Sequence, residues 1–115
     1  MTGEGQKVRA STGIAMRNGV EIKRRAFMGS IKVFVKEGCN KCPAAKAVAG
    51  RLKDEGFNVH EYRLDTAEGL AEGVFFGVMA TPTVLLVDEN ENTLAAWRGV
   101  VPIPEEVKQA IISAA

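Results

Sequence analysis

Cysteine is scarce in this chain. Two cysteines in 115 residues are too few for the disulfide-dense scaffold of a small secreted domain. Histidine is scarcer still: His60 is the sole imidazole, so a tetrahedral metal site built from Cys and His lacks its full set of four ligands in one copy of the chain. No stretch approaches the roughly 20 apolar residues of a membrane span, and the opening MTGEGQKVRASTG holds no apolar run of the signal-peptide kind. A soluble, cytoplasmic protein with no membrane partner is the expectation. No internal repeat or low-complexity tract is visible. What remains, 46% hydrophobic and 25% charged residues, is the usage of an ordinary globular chain, long enough to bury one core.

The net charge of +1 hides an asymmetry. Residues 1–30 hold six Lys or Arg against two Glu, a balance of +4, and residues 31–115 hold nine basic against twelve acidic, a balance of −3. The chain therefore divides into a basic N-terminal arm, 1–30, and a body, 31–115. The basic residues of the arm are spread out among a single aromatic, Phe27, with no nucleic-acid signature. A solvated segment is expected, and no nucleic-acid partner. Within the arm, Asn18-Gly19 between apolar alternations is the strongest hairpin signal of the chain.

The body alternates strand and helix. Ile31–Val35 is a short β-branched and aromatic run entering the polar loop Lys36–Lys41. From Pro43 to about Glu55, Ala44, Val48 and Leu52 recur four apart with Ala45 and Ala49 beside them, an amphipathic helix that Gly56 stops. Phe57–Leu64 reads as a second strand. Asp65 or Thr66 then caps a helix with Leu70, Val74 and Val78 on one face, weakened by Gly69, Gly73 and Gly77. Thr83–Val87 and Thr93–Arg98 flank the polar loop Asp88–Asn92 as a hairpin, and Pro104 opens a last helix with Val107, Ala110, Ile111 and Ala114 on its inner face. The first two strands should be parallel and the last two antiparallel, which predicts an α/β fold with a mixed four-stranded sheet and about three helices on its faces.

Chemistry is carried by Cys39-Asn40-Lys41-Cys42, set between a predicted strand and the first turn of a predicted helix. The unpaired N–H groups and positive dipole end of a helix stabilise a thiolate, the nucleophile of thiol–disulfide exchange. Cys39 is the candidate attacking thiol. Lys36 and Lys41 add positive charge, and the spacing lets Cys42 attack a mixed disulfide formed on Cys39. Two other readings stand beside this one: a non-catalytic metal-binding or interaction protein using the Cys pair as ligands, and two buried, inert thiols. The polar neighbours Gly38, Asn40 and Lys41 speak against burial. A second feature is Val78-Met-Ala-Thr-Pro-Thr83, which puts Pro82 just before a predicted central strand, a place where proline is tolerated.

With these elements in this order, residues 31–115 resemble the thioredoxin-like superfamily, as a small thioredoxin- or glutaredoxin-like redoxin. The resemblance implies a cis Thr81–Pro82 bond beside the cysteine pair, with Thr81 and Pro82 positioning substrate backbone, and Gly38 and Gly99 in the surrounding docking surface. It implies a dithiol–disulfide oxidoreductase that reduces protein disulfides, with no bound cofactor and a redox-active disulfide Cys39–Cys42. A monomer recycled by a flavin-dependent thioredoxin-reductase-type enzyme, or another dithiol reductase, is expected in preference to glutathione. Two departures stand out. Gly38-Cys-Asn-Lys-Cys42 replaces the W-C-G-P-C of typical thioredoxins, and Val33 stands where they carry a buried Asp. The C-P-Y-C, T-V-P and Gly-Gly signatures of typical glutaredoxins are absent.

The remaining candidates read as structural. His60 lies within a strand, away from the strand ends where parallel-sheet sites form. Trp97 and Phe34 are assigned to the core, and the adjacent Phe75 and Phe76 cannot share one helix face, so one of them is expected at the surface near the proline loop.

Overall fold

Ser30–Val35 (β1) is an inner strand of the computed structural model, which describes residues 27–114. Five of its six residues are buried, as a β-branched and aromatic run between two covered faces requires. β1 pairs in parallel with Val59–Arg63 (β2) and antiparallel with Thr83–Val87 (β3), which pairs antiparallel with Thr93–Arg98 (β4). The order is β2-β1-β3-β4, the mixed four-stranded sheet expected from the connections. Among the described residues three helices cover it: Cys42–Asp54 (α1), Ala67–Phe75 (α2) and Pro104–Ala114 (α3). None is long and apolar enough to cross a membrane.

The period-two geometry of β1 splits the core. Ile31, Val33 and Val35 face the larger cluster with Cys42, Ala45, Ala49 and Leu52 of α1 and Val107 and Ile111 of α3. Phe34 faces the other side, packed with Leu85, Val87, Tyr62, Leu64, Phe76 and Val78. Lys32 shares that second face and is only 5% exposed. Its ammonium donates to Glu72 at 3.0 Å and to the Tyr62 hydroxyl at 3.4 Å, and lies 5.4 Å from the centre of the Phe76 ring. Burial works against that charge, but the bonds to Glu72 and Tyr62 outweigh it and hold the pKa above its ordinary value.

The helices differ in detail from the pattern expected of them. In α1 the buried stripe is Cys42, Ala45, Ala49 and Leu52, while Ala44 is exposed and Val48 half-buried, so the inner face is turned by about one residue. Gly56 ends the helix as expected, with φ +97°. In α2 the difference is larger. Gly69 and Gly73 are its buried residues, and Leu70 and Val74 face solvent. A Cβ at Gly69 would run into the Arg63 backbone, and one at Gly73 would press on Leu64. The glycines that lower its helix propensity let α2 lie directly on the chain leaving β2. Thr66 is its cap, the hydroxyl accepting from the Gly69 N–H at 3.1 Å.

β2 is shorter than the expected Phe57–Leu64. The Phe57 N–H bonds the Leu52 carbonyl, closing the end of α1, although the Leu64 N–H still reaches the Val35 carbonyl at 2.9 Å. At the far end of the chain Ala114 is exposed, and Val107 and Ile111 carry the α3 contact. Phe27 packs against the larger core cluster and Gly29 is buried beside the Val87 and Asp88 backbone. The hairpin expected at Asn18-Gly19, and residues 1–26 generally, lie outside the described residues.

Candidate active site

The loop after β1 delivers Cys39 to the start of α1. Gly38 turns the chain with φ +79°, a conformation that costs a side-chain-bearing residue energy and glycine little. The Cys39 carbonyl accepts from the Cys42 N–H at 3.3 Å, and the Lys41 carbonyl accepts from the Ala45 N–H at 3.2 Å. Lys41 is the N-cap residue, with no side-chain cap, and Pro43 occupies the first turn, where its missing N–H costs no helical bond. No acidic residue stands in that turn. The positive end of α1 is therefore not neutralised by a carboxylate of its own, which favours negative charge on a sulfur placed there.

The two sulfurs lie at disulfide distance, with the Cα atoms 5.4 Å apart. Their surroundings differ. Cys42 is 3% exposed within the α1 face of the core, whereas Cys39 is only partly buried and packs on that cluster from outside.

The segment before β3 and the turn after β4 complete the site. The Thr81–Pro82 bond is cis, and the Thr83 hydroxyl donates to the Ala80 carbonyl at 2.7 Å. The Gly99 N–H donates to the Pro82 carbonyl at 2.7 Å, with Gly99 itself at φ +76°. The Lys41 ammonium donates to the Gly99 carbonyl at 3.3 Å. One chain of hydrogen bonds thus joins the Cys-x-x-Cys helix, the Gly99 turn and the proline segment. Gly38, Asn40 and Lys36 are exposed on the Cys39 loop.

Sequence reasoning missed the anchor of that loop. Register pairs Val35 with Arg63, which sets the end of β2 beside the start of the Cys39 loop. Arg63 there donates to Glu37 Oε1 at 3.1 Å and to both oxygens of Asp65, and the Glu37 N–H donates to Asp65 Oδ2 at 3.3 Å. The Arg63 bond, helped by the Glu37 N–H, holds the Asp65 carboxyl at a pKa of about 2. Asp65 had one legible signal, its place ahead of α2, and that signal points equally to a helix cap.

Val33 is fully packed in the core, and among the described residues no carboxylate is buried. His60 is exposed on β2, its ring 6.4 Å from that of Tyr62. Phe75 is 70% exposed and Phe76 half-buried, as their adjacency required. Among the described residues no three His, Cys, Asp or Glu side chains gather as a metal site.

The thioredoxin domain family model matches residues 29–112, close to the whole described body. The chain belongs to the thioredoxin family. A probable thioredoxin of Archaeoglobus fulgidus is 32% identical over 63 residues, spanning 54% of this chain and 69% of that protein. Thioredoxin-2, a component of malaria parasite protein secretion machinery, superposes with TM-score 0.61 at 20% identity, covering 88% of each chain. Oxidised thioredoxin O2 from Arabidopsis thaliana gives TM-score 0.60 at 16% identity, covering 83% of this chain and 82% of that one. These last likenesses are of fold. Thioredoxin-family proteins are generally thiol–disulfide oxidoreductases, and a Cys-x-x-Cys pair at disulfide distance on a thioredoxin fold fits that chemistry.

Proposed function

We propose that this protein is a small redoxin that reduces protein disulfides, with Cys39 as attacking thiolate and Cys42 as resolving thiol. The observation that carries the reading is the unequal burial of a cysteine pair at one helix start: a partly buried cysteine beside a 3% exposed one. In the reduced protein, Cys39 Sγ attacks a client disulfide, a mixed disulfide forms, and the first client sulfur leaves as a thiolate that takes up a proton. Cys42 then loses its proton and attacks Cys39 Sγ. The Cys39–Cys42 disulfide forms, the second client sulfur departs and is protonated, and two electrons have passed from the pair to the client. With no buried carboxylate among the described residues, the Cys42 proton passes to the departing client thiolate or to water.

Thr81 and Pro82 position client backbone in this reading, Gly38 and Gly99 line the docking surface, and Lys36, Asn40 and Lys41 support the thiolate. A flavin-dependent thioredoxin-reductase-type enzyme, or another dithiol reductase, returns the pair to the dithiol state in the cytoplasm, and the protein works as a monomer without a bound cofactor. Insulin reduction coupled to NADPH oxidation tests this directly. Turnover with thioredoxin reductase, and little with glutathione plus glutathione reductase, is the expected result. Cys42→Ser should accumulate a mixed disulfide with the client and Cys39→Ser should not. Absence of any disulfide reduction, or trapping through Cys42 alone, overturns the assignment.

A further inference from the structure

Of the nine Lys and Arg of residues 31–115, four are held in ion pairs among the described residues, and Lys46 and Lys53, further along α1, are not. Arg63 is paired with Glu37 and Asp65, Lys32 with Glu72, and Arg51 and Lys108 with Glu55. Lys41 is different. It sits between the two cysteines, and its ammonium is held on the Gly99 carbonyl at 3.3 Å, one hydrogen bond from the Pro82 segment. No carboxylate pairs with it among the described residues. An ammonium has three donors, so two remain to serve a ligand. Lys36, on the Cys39 loop, and Arg98, next to Gly99 and opposite Thr83 in the sheet register, are also exposed and make no ion pair among the described residues.

Three cations with no ion pair among the described residues thus belong to the segments that rim the site, the Cys39 loop, the α1 start and the strand end before Gly99, on a body whose residues 31–115 carry nine basic and twelve acidic side chains. The local sign opposes the overall one. The acids nearest in sequence to the cysteines and the β2 end, Glu37 and Asp65, are occupied by Arg63 and do not neutralise this rim. Charge arranged this way changes which partners dock and how fast they arrive more than it changes bulk affinity.

We propose that Lys41 is a specificity-determining residue that favours client disulfides flanked by acidic side chains, with Lys36 and Arg98 extending the same field. The inference rests on the exchange reading above. A client carboxylate beside the attacked cysteine meets the two open donors of the Lys41 ammonium at the Gly99 turn. A client lysine there meets like charge.

Two peptides test it, each closed by one disulfide and identical except for Glu or Lys on both sides of each cysteine, with neutral hydroxyethyl disulfide as reference. Reduced protein should reduce the Glu peptide about 3- to 10-fold faster than the Lys peptide at low salt, a modest share of the range open to electrostatic steering, with the ratio collapsing toward unity at high salt. Each variant's rate on each peptide is divided by its rate on hydroxyethyl disulfide, which removes changes in thiol reactivity, and the variants are then compared by their Glu/Lys ratios. Lys41→Glu should abolish or invert the preference, Arg98→Glu should weaken it, and Lys41→Arg should retain it. Equal rates on both peptides, or a ratio unchanged by Lys41→Glu, overturns the proposal and leaves the exchange reading intact. No reduction of any of the three disulfides overturns both.

Discussion

The Glu37 backbone N–H donates to the Asp65 carboxylate at 3.3 Å, fastening the loop that carries Cys39 to the chain leaving β2. Arg63 lies on both partners, so a single guanidinium closes the clamp. The three side chains do no chemistry themselves. They fix a loop whose glycine would otherwise give it freedom.

That clamp sets a pH dependence. The Asp65 pKa falls from 3.8 to about 2 in the folded protein, chiefly through Arg63. A depressed carboxyl contributes stability that is fully present above its unfolded pKa and is lost as pH falls through the folded one. Asp65→Asn should therefore flatten the stability profile between about pH 4 and pH 2, measured by urea unfolding across that range. An unchanged slope would show that the clamp does not form in solution.

Two glycines should respond oppositely to the same change. Gly50 lies exposed within α1 with no atom near where a Cβ would be, so Gly50→Ala should stabilise by about 0.5–1 kcal/mol through helix propensity. At Gly69 the same gain is opposed by collision with the Arg63 backbone, and overpacking of roughly 1–3 kcal/mol or more should win. Denaturant unfolding of both variants decides it: stabilisation at Gly69 would mean that α2 does not lie on the β2 exit as described.

In the reduced protein, iodoacetamide at mildly acidic pH should label Cys39 first, because Cys42 is 3% exposed and Cys39 stands partly open at the helix start. Peptide mass mapping at partial modification gives the order. Cys42 modified first would reverse the roles assigned to the two thiols.

Deleting residues 1–26 should leave the rate on a small disulfide within about twofold, an effect worth less than about 0.5 kcal/mol, because every proposed site residue follows Gly29 and Phe27 remains to pack on the core. A truncated protein with native circular dichroism and no activity on that substrate would show that the arm reaches the site.

Much of this architecture was legible where burial leaves an unbroken apolar run, as in β1 and β3, or a cap and a stop, as around α1 and α3. It failed at α2 for a physical reason. Hydropathy periodicity reports side chains, and α2 packs through Gly69 and Gly73, which have none, so Leu70 and Val74 drew the inner face on the wrong side. Lys32 was equally hidden, since its charge predicts exposure and only its partners Glu72 and Tyr62, 40 and 30 residues away, make burial tolerable. At the candidate site, Cys39, Cys42, Thr81, Pro82 and Gly99 could be singled out as proposals because local order and family resemblance mark them. The Glu37–Arg63–Asp65 clamp could not, because it exists only once the Val35–Arg63 register is set.

The deep seat of Cys42 has a kinetic meaning. In the proposed exchange, a cysteine only 3% exposed within the α1 core is shielded from clients, so an encounter begins at Cys39 and the chain carries one client at a time. The release step is then first-order, governed by the high effective concentration of one neighbouring sulfur at another and indifferent to how much client surrounds the protein. Crowding the solution with substrate would hasten capture and leave discharge at its own fixed pace.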